Sequence, residues 1–252
     1  MSMKGIIIDK DGTLFNYAYV WGGVVSKAIR GGFSELGLKG DKLNRITMRF
    51  EELFGIDERG GSYKNGILFR PDLAVITIAK MVLASLGAGL NPFKVKNKVF
   101  DKIEKMGSMI EQEIDAKEFP GIKELFKKLK DNGYVIGIVT NDCVATTRLF
   151  LKKMGAEEYV DFIRGEDSGT RKKPNPEAFR QFISEFSLKP EDVAIVGDSK
   201  ADMKFASNSN AGYSIAVLTG SGDRKLLERM ADKVYPTILD IAEDSVLFEK
   251  NT

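Results

Sequence analysis

The sequence predicts an α/β protein built on a parallel sheet, with a helical block inserted after the first strand. From residue 120 onward, short apolar runs alternate with segments of helical length, which is typical of β-α units in a parallel sheet. Between residues 17 and 114 strand-like alternation is absent, and glycines separate helix-like segments. The first strand is predicted over 4–9 and precedes that block, so the predicted sheet domain is discontinuous in sequence.

The composition is that of an ordinary globular protein and excludes several chemistries. The chain has 252 residues and a net charge of +2, which gives no case for nucleic-acid or membrane binding. Its single cysteine excludes an internal disulfide, and the start of the chain has no signal-peptide pattern, so we expect a cytoplasmic protein. Histidine is absent, which excludes Ser-His-Asp and Cys-His nucleophile systems and His-based zinc sites.

The first strand ends in two carboxylates. The residues of 6–8 are all isoleucine, as in a strand buried on both faces, and Asp9, Asp11 and Gly12 follow. Open α/β sheets bind ligands beyond the carboxyl ends of their strands, so this pattern indicates a functional edge. Asp11-Gly12 is also typical of a hairpin turn, but no alternating strand follows it.

The remaining elements are predicted from periodicity and punctuation. In the helical block we expect helices over 18–36, 41–54, 71–87 and 92–114, with a longer loop around 57–66. Asn91-Pro92 is a start signal for the last of these helices. The apolar segment 73–90 is interpreted as a buried helix rather than a membrane span. After the block we expect strands at 134–140, 159–163, 192–197, 213–217 and 233–235, and helices at 122–131, 143–154, 176–186, 200–208, 223–230 and 237–248.

Two later strands and one loop add polar residues in the same order as a known family. The second strand ends in Thr140-Asn141-Asp142, and the strand over 192–197 runs into Asp198, with Asp202 shortly after. A basic loop, Arg171-Lys172-Lys173-Pro174, lies between them. With Asp9–Thr13 these segments resemble the four signature motifs of the haloacid dehalogenase superfamily of hydrolases. Pro120-Gly121 and Gly165-Glu166-Asp167 extend the resemblance to its phosphoglycolate phosphatase-like branch.

This resemblance implies a domain organisation. The expected core is a Rossmann-like three-layer domain with a parallel sheet, made of residues 1–15 and 117–252. Residues 16–116 are expected to form an inserted, all-helical cap domain.

The resemblance also implies a metal site. Several carboxylates gathered in one crevice repel one another unless some are protonated or a cation lies among them, and oxygen ligands favour Mg²⁺. By resemblance, Asp9 and Asp198 ligate Mg²⁺ through their side chains and Asp11 through its backbone carbonyl. Asp202 is expected to bind metal waters or to orient Lys173, although the start of a helix also favours an acidic residue there.

The catalytic roles implied by the resemblance are those of a phosphoryl-transfer enzyme. Asp9 is the expected nucleophile, and Asp11 the expected general acid and then base. Four residues are expected to bind the transferring phosphoryl group: Gly12, Thr140, Asn141 and Lys173. The family places its lysine directly before a proline, which selects Lys173 over Lys172.

Several other residues have open or unremarkable interpretations. Lys10 alternates to the other face of the extended segment and is interpreted as a surface charge. Cys143 is interpreted as a small buried helix residue, because no histidine exists to activate it. Two groups remain open between a role in the substrate pocket and an ordinary structural one: Tyr17, Tyr19 and Trp21, and then Arg59, Lys64 and Arg70.

The leading hypothesis is therefore a Mg²⁺-dependent phosphatase of a small phosphorylated metabolite. A sugar phosphomutase of the same superfamily carries the same motifs, and a non-catalytic phosphate-binding module is the alternative from a different class. A haloacid dehalogenase is disfavoured because Asp11 stands where dehalogenases usually have a non-acidic residue. The expected partner is a small phosphate ester, with no nucleic acid and no membrane, and the oligomeric state is left open.

Overall fold

The structure, a computed structural model, describes residues 3–15, 17–56, 74–103, 105, 120–220 and 222–248. The chain divides into two compact units. The first comprises Met1–Asn16 and Asp115–Thr252, and the second is Tyr17–Ile114. The interpretation of these units as a catalytic core and a cap remains a prediction.

The first unit is built on a six-stranded parallel sheet with the order β3-β2-β1-β4-β5-β6. The strands are β1 (Gly5–Ile8), β2 (Val135–Val139), β3 (Phe162–Arg164), β4 (Val193–Gly197), β5 (Tyr213–Val217) and β6 (Lys233–Tyr235). The helices of this unit are α5 (Ile122–Asp131), α6 (Val144–Lys153), α7 (Glu177–Glu185), α8 (Lys200–Ser209) and α9 (Arg224–Met230). The predicted parallel α/β fold is confirmed.

The central strand β1 lies between β2 and β4, where the strand order reverses. Ile8 is opposite Ile138 of β2 and Val196 of β4, so all three strands end at one level. Every residue of β1 is buried, because helices cover both faces of the sheet. The crevice at such a reversal point is where open α/β sheets bind ligands.

The core on one side of the sheet is rich in aromatic side chains. Phe182 of α7 lies edge-on to Phe162 of β3 at 5.4 Å between ring centroids, and Phe179 lies edge-on to Phe205 of α8 at 6.3 Å. This packing fixes the helices that follow β3 and β4 against the sheet. The loops at the carboxyl ends of the strands therefore start from rigid positions.

The second unit is helical in the part that the structure describes. Its elements are α1 (Tyr17–Glu35), α2 (Gly40–Phe54), α3 (Ala74–Gly87) and α4 (Pro92–Val95), which continues into a π-helical turn (Lys96–Phe100). The predicted start of α4 is confirmed, since the Asn91 side chain accepts hydrogen bonds from the amides of Phe93 and Lys94. The core of this unit is apolar and includes the edge-to-face pair of Phe33 and Phe50.

Helix α3 differs from the expectation of a buried helix. Its buried residues are Thr77, Met81 and Ser85, a single stripe at helical spacing, and large apolar side chains such as Val75 and Leu83 are exposed. Among the described residues no single helix is long and apolar enough to cross a membrane. The pair Ala74–Gly87 and Pro92–Ile103 meets the length and composition test only when taken together, with a bend of 114° between them.

Two other predicted elements differ from the structure. The strand expected at 159–163 begins later, at Phe162, after a 3₁₀ turn over Glu157–Tyr159. The helix expected at 237–248 is a 3₁₀ segment over Ile238–Glu243 that stops at Asp244. The Asp244 backbone is extended there, and its carboxylate accepts hydrogen bonds from the amides of Val246 and Leu247, which competes with continued helix. The loop expected at 57–66 lies outside the described residues.

Candidate active site

The carboxyl end of β1 places Asp9 at the bottom of the crevice. Its amide donates to the carbonyl of Val196 in β4, so the sheet ladder extends one residue past the strand. Its carboxylate accepts a hydrogen bond from the Thr13 hydroxyl at 3.3 Å, and both residues are buried. Thr13 was not singled out from the sequence, although it is the threonine of the Asp-x-Asp-Gly-Thr pattern.

Lys173 reaches this carboxylate from the loop before α7. Its ammonium group donates to Asp9 Oδ1 at 2.5 Å and to Asp202 Oδ1 at 2.6 Å, and its side chain is 5% exposed. The preceding residue, Lys172, pairs instead with Glu166 at the surface. The structure therefore brings Lys173, and not its neighbour, to the predicted site.

The end of β4 and the start of α8 add two more carboxylates. One carboxylate oxygen from each of Asp9, Asp198 and Asp202 lies within 4.8 Å of the others, and all three residues are buried. Asp202 also caps α8, because its Oδ2 accepts from the amide and the hydroxyl of Ser199. Asp202 therefore contacts Lys173 and also lies at a helix start, so these two interpretations from the sequence hold together.

Burial dominates the electrostatics of this cluster. It raises the pKa of Asp9 well above the ordinary value of 3.8, and the charges of Asp202 and Asp198 raise it further while Lys173 opposes them. Burial lowers the pKa of Lys173, but the charges of Asp202 and Asp9 outweigh it and raise this pKa above its ordinary value. The cationic form of Lys173 is therefore favoured by the two buried carboxylates with which it pairs.

The loop after β5 closes over Asp198, and its role was missed from the sequence. The Thr219 hydroxyl donates to the Gly12 carbonyl at 2.6 Å. A Cβ atom at Gly220 would overlap the Asp198 carboxylate, and one at Gly12 would lie 2.8 Å from Asp198 Cγ. Gly12 also has a φ of 82°, which favours glycine. The signal available in the sequence is the glycine-rich run directly after an apolar strand.

The end of β2 lies at the same edge. Thr140 is buried, and its hydroxyl accepts from the Asp142 amide at 3.1 Å. The Asn141 side chain accepts from the Lys173 amide at 3.2 Å, which ties the β2 end to the loop that carries the lysine. Thr140, Asn141 and Gly12 are thus located at the predicted crevice, while their phosphate-binding roles stay predictions.

The interpretation of Lys10 as a surface charge is wrong. Its side chain is 2% exposed, and its ammonium group forms an ion pair with Asp142 and lies 3.2 Å from Asp11 Oδ1. The error arises because alternation along a strand predicts which face a side chain takes but not what covers that face. Here the face is covered by α6, whose Phe150 ring lies under the ammonium group at 4.7 Å.

Asp11 is the most open of the predicted site carboxylates. Its side chain is 28% exposed, and it is not part of the three-carboxylate cluster within the described residues. Burial raises the pKa of Asp11 above its ordinary value, and the neighbouring Lys10 opposes that shift. A carboxyl group with a raised pKa at the mouth of a crevice has the properties of a general acid.

The other sequence candidates contribute less. Cys143 is half-buried at the N-terminus of α6, where its sulfur lies 2.9 Å from the Thr146 hydroxyl, rather than inside the helix. The side chains of Tyr17, Tyr19 and Trp21 lie outside what the structure describes, as do Arg59, Lys64 and Arg70.

The structure thus gathers three buried carboxylates and one lysine at the reversal point of the parallel sheet, where open α/β sheets bind ligands. A sequence profile described as haloacid dehalogenase-like hydrolase matches residues 75–217, more than half of the chain. The chain belongs to this family. Strand β1 and Asp9 lie outside the matched residues, and the structure pairs that strand with the matched β2 and β4.

Individual proteins show the same relationship over shorter stretches. The chain is 34% identical over 92 residues to a phosphoglycolate phosphatase of Nitrosococcus oceani, which covers 36% of this chain and 41% of that protein. It is 30% identical over 104 residues to pyrophosphatase PpaX of Bacillus thuringiensis. That match covers 41% of this chain and 47% of that protein. These matches span less than half of either relative.

A solved structure supports the fold over the whole chain. A predicted phosphoglycolate phosphatase from Haemophilus somnus superposes with a TM-score of 0.61 and 20% identity, covering 96% of this chain and 97% of that one. At this identity the similarity establishes the haloacid dehalogenase-like fold alone.

Proposed function

We propose that this protein is a Mg²⁺-dependent phosphatase that hydrolyses a small phosphorylated metabolite through an aspartyl-phosphate intermediate. The observation that carries the proposal is the charge of the buried cluster. Three carboxylates against one ammonium group leave two uncompensated negative charges when all are ionised, which is the charge that one divalent cation neutralises.

The residues present fit Mg²⁺. All the side-chain donors in the cluster are carboxylate oxygens, and hard oxygen ligands with room for water and substrate phosphate are what this ion prefers. Asp9 and Asp198 are the expected side-chain ligands, with the Asp11 backbone carbonyl beside them. Both oxygens of Asp202 already accept hydrogen bonds, so its expected role is to hold Lys173. When bound, the cation neutralises charge on the phosphate oxygens.

The first half-reaction uses Asp9 as the nucleophile. Its carboxylate oxygen attacks phosphorus, the bond from phosphorus to the leaving oxygen breaks, and Asp11 donates a proton to that oxygen. Lys173 provides a fixed positive charge beside the developing negative charge, which stabilises the transition state. Because Lys173 is held on two carboxylates before substrate binds, little reorganisation is needed when the reaction occurs.

The second half-reaction returns the enzyme to its starting state. Asp11 accepts a proton from water as the water oxygen attacks phosphorus, and the bond from phosphorus to Asp9 breaks. Inorganic phosphate leaves, and Asp9 is again a carboxylate. The side chains described at the crevice are charged or polar, which suits a phosphate ester. Phosphoglycolate and pyrophosphate, named for the two relatives, belong in the first substrate screen.

The direct test is turnover of p-nitrophenyl phosphate with and without Mg²⁺. We expect activity with Mg²⁺, loss of activity in EDTA, and full recovery when Mg²⁺ is restored. Turnover that is independent of metal would contradict the charge argument, and the absence of any turnover would favour the non-catalytic alternative. A ³¹P NMR assay with sugar phosphates separates the alternatives further, because a phosphatase releases inorganic phosphate and a mutase yields an isomeric ester.

A further inference from the structure

The side chain of Lys10 is buried beside two stacked aromatic rings. Its ammonium group lies 4.7 Å from the ring centroid of Phe150 and 6.0 Å from that of Phe15, and these two rings stack at 5.0 Å. Removing an ammonium group from water costs free energy, and replacing a buried ion pair by apolar side chains is often neutral or stabilising. Stability of the fold therefore does not account for this charge.

The contacts of Lys10 connect it to the crevice. One partner, Asp142, is held in place because its Oδ1 accepts from the Cys143 amide at 2.7 Å and its own amide donates to Thr140 at 3.1 Å. The other partner is Asp11, 3.2 Å from the ammonium group. The lysine thus bridges the end of β2 to the end of β1.

The two partners differ in what else holds them. The Asp142 carboxylate also accepts from the Cys143 backbone amide, whereas the hydrogen bonds and ion pairs described for the Asp11 carboxylate are those with Lys10. Asp11 lies two residues after Asp9, where the chain bends into a turn, and its side chain is 28% exposed. A carboxyl group so placed adopts several rotamers unless a neighbour selects one.

We propose that Lys10 is a positioning residue for Asp11, holding its carboxyl group at the angle from which it reaches the leaving oxygen of the substrate. The proposal rests on the proposed phosphatase function, in which Asp11 is the general acid. We expect Lys10 itself not to touch the substrate, because its side chain is 2% exposed. Its anchor is the Asp142 carboxylate and the face of the Phe150 ring.

The test uses substrates that differ in how much they need a general acid. p-Nitrophenyl phosphate has a good leaving group that requires little protonation, and phenyl phosphate has a poorer one that requires more. We expect Lys10→Met to lower kcat/KM on phenyl phosphate by roughly 10- to 100-fold while changing kcat/KM on p-nitrophenyl phosphate little. The constant compared is kcat/KM because it reports the first half-reaction, in which Asp11 protonates the leaving oxygen, whereas the second half-reaction is the same for both substrates. A merely structural role predicts equal losses on both substrates, and that result would overturn the proposal.

Three further variants make the result specific. Lys10→Arg keeps the charge and should retain most of the phenyl phosphate activity, so a loss equal to that of Lys10→Met would contradict the proposal. Lys152→Met, at an exposed position on α6, is the matched control and should leave both rates unchanged. In the double variant Lys10→Met with Asp11→Asn, the loss should equal that of Asp11→Asn alone, and additive losses would contradict a role exerted through Asp11.

A measurement without turnover separates this proposal from the proposed function. Crystal structures of the wild type and of Lys10→Met should show the Asp11 carboxyl group in different rotamers, with Asp9 and Lys173 unmoved. An unchanged Asp11 carboxyl group would overturn the positioning role even in an active enzyme. Failure of the wild type to hydrolyse any phosphate ester would instead refute the proposed function, and the structural comparison would still decide whether Lys10 sets the position of Asp11.

Discussion

Two buried lysines pair with the aspartates that follow β1, and the surroundings of the two lysines differ in charge and in access to water. Lys173 pairs with Asp9 and Asp202, whose side chains are both buried, and Asp198 adds a third carboxylate. Lys10 pairs with Asp11 and Asp142, whose side chains are 28% and 36% exposed. Water screens the surplus charge around Lys10, whereas around Lys173 it does not. Of these two clusters, we therefore expect the one around Lys173 to bind a cation and the one around Lys10 not to.

The largest expected effect comes from removing the nucleophile on the Lys173 side. Asp9→Asn replaces the attacking carboxylate by an amide of the same shape, so we expect kcat to fall by about 10⁴-fold or more. The assay is p-nitrophenyl phosphate hydrolysis with Mg²⁺, and circular dichroism checks that the fold is retained. A variant with a near-normal rate would remove Asp9 as the nucleophile.

The next effect compares two adjacent lysines. Lys173→Met removes the cation held on Asp9 and Asp202, and we expect kcat to fall by about 10²- to 10³-fold, because a fixed positive charge is lost from the transition state. Lys172→Met is the matched control, since that side chain is 58% exposed and pairs with Glu166. It should leave kcat unchanged. Equal losses in both variants would mean that the basic loop acts only through its overall charge.

A smaller effect is expected from a substitution in the loop after β5, which contacts Asp198. Gly220→Ala puts a methyl group where the Asp198 carboxylate now lies, so that carboxylate must rotate away. We expect the affinity for Mg²⁺ to fall by about 10- to 100-fold, measured as the Mg²⁺ concentration that gives half-maximal rate.

The control for that variant is Gly23→Ala in α1, where an added Cβ meets no atom within 4 Å. It should leave the Mg²⁺ dependence unchanged and stabilise the helix by up to about 1 kcal/mol. Unaltered Mg²⁺ affinity in Gly220→Ala would indicate that Asp198 does not contact the ion.

The smallest expected effect is on stability without metal. Asp198→Asn removes one of the charges that raise the pKa of Asp9, so in EDTA we expect a Tm higher by roughly 2–4 °C. Addition of Mg²⁺ should raise the Tm of the wild type more than that of the variant. A lower Tm for the variant in EDTA would show that the cluster is not repulsive.

The raised pKa of Asp9 also makes the stability of the metal-free protein depend on pH. Because the pKa of Asp9 is raised in the folded state, its carboxyl group binds more protons in the folded than in the unfolded chain between pH 3.8 and the raised pKa. The free energy of unfolding of the metal-free wild type should therefore fall as the pH rises from 3.8 through the raised pKa. Thermal unfolding in EDTA across this range should show a weaker fall for Asp198→Asn.

Sequence patterns predicted those features that local rules determine. Apolar runs ending in polar residues located Asp9, Thr140 and Asp198, because parallel strands end at one edge of the sheet. Through the family resemblance, the proline after Lys173 selected the lysine that pairs with Asp9 and Asp202 over its neighbour Lys172. These signals depend on neighbours in the chain and need no knowledge of tertiary packing.

The features that were missed depend on contacts between distant segments. The burial of Lys10 results from Phe150 and Asp142, more than 130 positions along the chain. The exposure of α3 could not be predicted from its own composition, since an apolar helix is buried only if another element covers it. The end of the 3₁₀ segment at Asp244 is set by a carboxylate that also accepts from the hydroxyls of Tyr213 and Tyr235.

The position of β1 in the sheet has a consequence for folding kinetics. Its partners in β2 and β4 come after the whole helical block, with Gly5 opposite Val135 and Val193. Closing so long a loop costs entropy before any pairing compensates for it, so insertion of β1 is expected late on the folding pathway. Until that insertion Asp9 remains apart from Lys173, so we expect a nascent or partly folded chain to lack the assembled carboxylate cluster.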